Sequence, residues 1–211
     1  MLNSVSSIGI FGSSFDPIHF GHLRVVEKVQ SAMAFDQIRM VLTSRPAHKA
    51  PSVVSDDHRW EMLCLACKNK EDLIPEDFEK NQSGISFSIN TLHHLRQKFA
   101  GARLSWIMGA DAFFGLSSWY RWEELFELCN FVVVDRPDSK EKPSKQFKRF
   151  YQKKIVGEID YARNGQIYHV GAPMIAVSST EIRQNISKGL SITEFLPEYV
   201  ANYVLENKLY L

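Results

Sequence analysis

Three consecutive segments near the start of the chain leave little freedom in the fold. Ser7 to Gly12 is a short apolar run that closes on glycine. Gly21 to Ala34 carries Leu23, Val26, Val29 and Met33 at helical spacing, and Gln37 to Leu42 is short and apolar again. A strand, a helix and a strand in that order begin a parallel sheet. The alternation continues, with strands expected at Asp72 to Phe78, Leu104 to Met108, Phe131 to Val134, Ile167 to Val170 and Met174 to Val177. Helices are expected from Asp56, with Trp60, Leu63, Cys64 and Cys67 on one face, and over Ser88 to Phe99, Trp122 to Leu128, Ser178 to Ser187 and Pro197 to Asn207. Gly189 reads as a helix stop and Pro197 as a first helical residue. The charged, proline-containing stretch Asp138 to Lys154 reads as loop plus a surface helix. The pattern predicts an α/β, doubly wound, mostly parallel sheet around one continuous core.

Charge narrows the partners. Lysine plus arginine number 25 against 24 aspartates and glutamates in 211 residues, so no bulk field argues for nucleic acid or a membrane surface. The first residues lack a basic segment and a long apolar run, and nothing approaches the ~18 apolar residues of a membrane span. Three cysteines cannot all pair within one chain, which makes a reducing cytoplasm the expected setting. Cys64 and Cys67 have C-x-x-C spacing, but read as mid-helix core residues rather than a redox pair.

The stretch Gly9 to His22, GIFGSSFDPIHFGH, holds the chemistry. A strand, a turn of small residues and a helix start form a common cradle for phosphate, and Gly12, Ser13 and Ser14 suit it. Neither G-x-G-x-x-G nor G-K-[S/T] is present, which sets aside the dinucleotide fingerprint and the P-loop. His19 and His22 place donors where the loop enters the helix, and such donors can follow charge that develops on a phosphoryl group. The structural alternative has one histidine capping a turn and the other filling space. No third and fourth ligand lies nearby in sequence to complete a zinc site, so no protein-held metal is expected.

Gly12 to Pro17 followed by His19-Phe20-Gly21-His22 resembles the nucleotidyltransferase superfamily marked by H-x-G-H and, within it, the bacterial nicotinate-nucleotide adenylyltransferases. The likeness runs nearly end to end. It includes Pro46-Ala47-His48-Lys49, Ser86 to Leu92, Ile107 to Asp111, Trp119-Tyr120 with Trp122, Arg136-Pro137, Val177 to Arg183 and Leu196 to Tyr210. Four positions depart from the family's usual pattern: Ser13 for glycine, Ala47 for proline, Phe87 for tyrosine and Ser88 for threonine.

The resemblance implies a single nucleotidyltransferase domain over residues 1–211, with a helical part at 178–211 packing on the core. It implies transfer of AMP from ATP to nicotinate mononucleotide, with Mg²⁺ carried on the ATP phosphates. Position by position, Gly12, Ser13, Ser14, Phe15, Asp111, Ser179, Thr180 and Arg183 would bind ATP, and His19 and His22 would stabilise the transition state. His48, Lys49, Ser88, Trp119 and Tyr120 would meet the mononucleotide, with Trp119 against the pyridine ring. Asp111 also suits the cap of a following helix, and Ser178 with Glu181 has capping-box spacing. Trp122 reads as core. Sister enzymes adenylylating the amide mononucleotide or phosphopantetheine, a nucleotide-binding module without catalysis and a tRNA-synthetase fragment are the rival readings. A homo-oligomer is left open.

Overall fold

The computed structural model describes residues 6–46, 51–135, 142–171 and 177–211. Six strands form one sheet: β1 (Ser7–Ser13), β2 (Gln37–Leu42), β3 (Leu73–Glu76), β4 (Arg103–Gly109), β5 (Asn130–Asp135) and β6 (Ile167–Gly171). The spatial order is β3-β2-β1-β4-β5-β6, and every neighbouring pair is parallel. The order reverses direction between β1 and β4, so the loops after these two strands diverge and leave a crevice at their carboxyl ends.

Parallel strands buried on both faces read as unbroken apolar runs. Their alternation is visible only in where each residue packs. Ile8, Ile10, Trp106, Met108, Phe131 and Val133 face one apolar cluster, while Phe11, Ile107, Val132 and Val134 face the other. The sheet thus divides the interior in two, where the sequence pattern suggested one continuous core. Gly9 shows how tightly the layers meet: a Cβ there would lie 2.9 Å from Ile107 Cδ1 and 3.0 Å from both Ile38 and Phe35.

Helices α1 (Phe20–Met33), α2 (Asp56–Cys67), α7 (Ser179–Ser187) and α8 (Glu198–Glu206) supply one cluster. Helices α3 (Ser88–Lys98), α4 (Ala110–Phe114), α5 (Trp122–Leu128) and α6 (Lys145–Gln152) supply the other. The α6 segment is the expected surface helix, with Lys145, Gln146, Lys148, Arg149 and Gln152 exposed, and its inner face is anchored in the core. Phe147 is 1% and Tyr151 7% exposed, and Phe147 packs against Phe113 and Trp122. Its apolar residues at 147, 150 and 151 form a helical stripe inside a lysine-rich stretch. Short α4 and the 3₁₀ turn Leu116–Ser118 were not expected from periodicity.

The buried face of α2 is Arg59, Met62, Leu63, Ala66 and Cys67, with Trp60 and Cys64 only partly covered. The cysteine pair lies at the carboxyl end of α2, not mid-helix. All three cysteines are free, and burial pushes the Cys67 thiol up to about 12. Gly189 ends the turn after α7 at φ +68°, a left-handed geometry that glycine adopts without strain. Pro197 stands one position earlier than expected, as the cap of α8. Residues 172–176 and Arg136-Pro137 lie outside the described residues. Among the described residues no helix is long and apolar enough to cross a membrane.

Candidate active site

The chain leaves β1 at Ser13, turns at Phe15 and enters α1 at His19. Gly12, Ser13 and Ser14 are partly exposed, while Phe15 to His19 are buried. Phe15 has φ +47° and no exposed surface. Its ring lies in the core, edge-on to His22 with centroids 5.1 Å apart, so the expected nucleotide contact at this position falls to the main chain.

His19 is the N-cap of α1, extended at φ −148°, and His22 is the third helical residue. The backbone N–H of His19 donates to His22 Nδ1 at 3.3 Å. This is the reach-back half of a capping box, and it explains the spacing of the pair. The structural alternative is therefore partly true: His22 does cap. The cap also has a chemical consequence. Nδ1 accepts this hydrogen bond, so in the neutral ring the proton sits on Nε2, which lies 3.3 Å from Ser13 Oγ. His22 thus aims an N–H at the floor of the crevice.

The two imidazoles lie face to face at a 30° tilt, with centroids 3.8 Å apart. Gly21 makes room for them. A Cβ at Gly21 would lie 2.9 Å from both Cε1 and Nδ1 of His19. Gly21→Ala should push the His19 ring off this seat and, on the transition-state role that the resemblance implies for His19, lower kcat by about 10²-fold while melting shifts little. Kinetics and a melting curve on this variant test it, and unchanged turnover would show that the ring's seat is irrelevant.

Helix α7 meets this loop from the far side. Ser179 Oγ donates to the Pro17 carbonyl at 3.0 Å, and Arg183 Nη1 donates to the Asp16 carbonyl at 2.7 Å. Arg183 Nη2 also lies 3.4 Å from Thr180 Oγ1. Ser178 Oγ accepts from the Glu181 N–H and caps the helix. Ser179 and Arg183 therefore hold the loop between β1 and α1 as well as bordering it. One helix-start amide is already occupied, since Phe20 N–H donates to the Phe195 carbonyl at 2.9 Å.

Asp111 is the second residue of α4, at the end of β4 and across the crevice from the β1 loop; Gly109, not Asp111, is the N-cap. A second group gathers at the start of α3. Ser88 opens that helix, Phe87 caps it, and the Phe87 ring lies 4.7 Å from that of Tyr120. Tyr120 is 55% exposed, whereas Trp119 is half-buried against the same apolar cluster as Trp122. Trp122 makes edge contacts with Phe126, Phe147 and Phe150, as expected of core. His48 and Lys49 lie outside the described residues.

Periodicity did not single out the residue that joins these groups. Arg59 is fully buried. Its guanidinium donates to the carbonyls of Ser14 at 2.6 Å, Thr43 at 2.8 Å and Ser44 at 3.2 Å, and to Asp56 Oδ1 at 2.6 Å. The loop after β2 pairs in turn with the segment before α3, where Ser86 N–H donates to the Arg45 carbonyl at 2.9 Å. Below it, Thr91 Oγ1 donates to the buried Glu79, whose carboxyl burial pushes upward. One signal was available: Arg59 precedes Leu63 by four residues, an arginine on the inward stripe of an amphipathic helix.

An all-parallel sheet of this order, with a small-residue loop and a histidine pair at its reversal point, defines a nucleotide-handling α/β protein. A cytidylyltransferase-like family model matches residues 10–185, and the chain belongs to that family. The chain is 33% identical over 210 residues to a Shewanella frigidimarina protein named "Probable nicotinate-nucleotide adenylyltransferase", covering 96% of this chain and 99% of that one. A Pseudomonas aeruginosa protein of the same name is 34% identical over 206 residues, covering 96% of each. The fold is similar to that of Plasmodium falciparum nicotinic acid mononucleotide adenylyltransferase complexed with NaAD, with a TM-score of 0.75, 19% identity and 97% of each chain covered. The resemblance carried by the motifs holds.

Proposed function

We infer that this protein is a nicotinate-nucleotide adenylyltransferase, transferring AMP from ATP to nicotinate mononucleotide to give nicotinate adenine dinucleotide and pyrophosphate in NAD biosynthesis. The seating of His19 and His22 over Gly21, at the mouth of the β1 loop, is the observation that carries adenylyl transfer. The choice of acceptor rests on relatives that bear this name across nearly their whole length.

A phosphate oxygen of the mononucleotide attacks the α-phosphorus of ATP in line. The new P–O bond forms as the bond to the β-phosphate oxygen breaks, and pyrophosphate departs with that electron pair. Catalysis is positioning and charge stabilisation, with no protein nucleophile. Gly12, Ser13 and Ser14 receive the phosphates, and the Nε2–H of His22 faces charge that grows during transfer. His19 supports the same charge from the cap position. Asp111, across the crevice, accepts from ribose hydroxyls. Thr180 and Arg183 border the triphosphate; His48 and Lys49, outside the described residues, keep the acceptor-binding role that the resemblance implies. Ser88, Tyr120 and Trp119 form the nicotinate end. Among the described residues no cluster of three or more His, Cys, Asp or Glu side chains is arranged to hold a metal ion. The Mg²⁺ that the resemblance implies enters as part of the substrate, on the ATP phosphates. The reaction belongs to the cytoplasm.

Pyrophosphate release from ATP with each candidate acceptor tests this function. Replacing the nicotinate carboxylate by an amide leaves donors facing an NH₂, at about 1–3 kcal/mol for each buried group left unpaired. The acid should win in kcat/KM by at least about tenfold. Equal rates with nicotinamide mononucleotide, or preference for phosphopantetheine, would overturn the acceptor assignment.

A further inference from the structure

Asp16 sits in the middle of the phosphate loop and is only 4% exposed. Three distant parts of the chain converge on it. Tyr210 Oη donates to Oδ1 at 2.8 Å, and the Val53 N–H donates to Oδ2 at 2.8 Å. Arg183 donates to its carbonyl and holds its guanidinium 3.9 Å from Oδ2. Tyr210 is itself buried, and burial, followed by the Asp16 charge, pushes its phenol well above the usual range. It therefore keeps its proton and is a permanent donor to the carboxylate.

Both ends of this contact occupy left-handed backbone, with Phe15 beside Asp16 at φ +47° and Tyr210 at φ +65°. Non-glycine residues stay in that region only when their surroundings hold them there. A cavity of about 350 Å³ opens directly beside the contact, lined by Val53, Thr180, Arg183 and Tyr210. The cavity borders Tyr210 and Arg183 rather than the loop itself, and the Asp16 hydrogen bonds are the tie between the loop and these residues.

We propose that Tyr210 is a positioning residue for the nucleotide phosphates, holding the 12–19 loop through Asp16 in the shape that receives ATP. This rests on the adenylyl-transfer reading. Loss of the phenol lowers the fraction of molecules whose loop is already competent, and apparent affinity falls by that fraction. Once ATP is bound the loop is in place, so the chemical step is spared. A hydrogen bond to a charged group is strong enough to shift such an equilibrium about ten- to hundredfold.

The test is Tyr210→Phe, which keeps the ring and removes the donor. ATP affinity is measured by calorimetry without acceptor, alongside ATP KM, kcat and melting temperature. Val204→Ala, a cavity in the same apolar cluster, controls for lost stability alone. The expected result is an ATP Kd and KM raised at least about tenfold with kcat within about twofold, while Val204→Ala melts earlier with ATP Kd unchanged. A Tyr210→Phe protein that melts earlier but binds ATP as before would overturn the proposal. Absence of ATP binding by the unaltered protein would instead overturn the adenylyl-transfer reading on which it rests.

Discussion

His19→Ala and His22→Ala will each lower kcat by roughly 10²–10³ while changing ATP affinity far less. Ground-state phosphates retain the backbone of the β1 loop and Arg183, so what is lost is interaction with charge that appears only during transfer. The capping contact complicates a simple alanine scan. His22 accepts the His19 N–H, so its removal also weakens the start of α1 by about 0.5–2 kcal/mol, on the scale of a lost N-terminal cap. His22→Asn separates the two roles. The asparagine oxygen can occupy the place of Nδ1 and restore the cap, but nothing replaces the Nε2–H over Ser13. Melting temperature should recover in His22→Asn and kcat should not. Near wild-type turnover in folded alanine variants of both histidines would remove them from the chemistry.

The largest effect on stability is expected at Arg59. Arg59→Met keeps most of the volume, strands the carbonyls of Ser14, Thr43 and Ser44, and removes the fully buried partner of Asp56, which keeps only Ser44 and Arg45. Removing one partner from a buried charged network costs about 3–5 kcal/mol, because the groups left behind have no water to turn to. Urea unfolding at constant m-value measures the loss. Arg163, 81% exposed beside Asp160, provides the contrast, and Arg163→Met should stay within about 0.5 kcal/mol of the parent. A similarly small change at Arg59 would mean that the carbonyls find other donors and that the guanidinium does not organise the loops.

Local pattern carried the architecture further than the site. The apolar runs of β1, β2, β4 and β5 are legible because a strand buried on both faces tolerates few polar residues, and parallel pairing follows from the helices between them. Helix α6 was expected as a surface helix, and what composition hid was its buried face. Its lysines and arginine dominate the stretch, and only the placement of Phe147, Phe150 and Tyr151 betrays an inward stripe. Helix α4 is too short to show a period, which is why Asp111 was weighed as a cap when Gly109 fills that position. The site's first layer was visible because small residues and histidines beside a strand end are chemically conspicuous. Its supports were not: Arg59 and Asp16 make their contacts with residues brought close only by the fold.

The distances along the chain between those supports bear on how the protein is made. Asp16 finds Val53 after 37 residues, Arg183 after 167 and Tyr210 after 194. During synthesis the first strand and helix emerge long before α7 and α8, so the phosphate loop must wait with its buried carboxylate uncovered. Contacts of such long sequence separation form late, because the intervening chain must first be ordered. On the proposed role of Tyr210, nucleotide binding is a property of the whole chain and not of the short βαβ unit that contains its most recognisable residues. A nascent chain still lacking α8 would display the histidine signature while its loop had yet to be fastened.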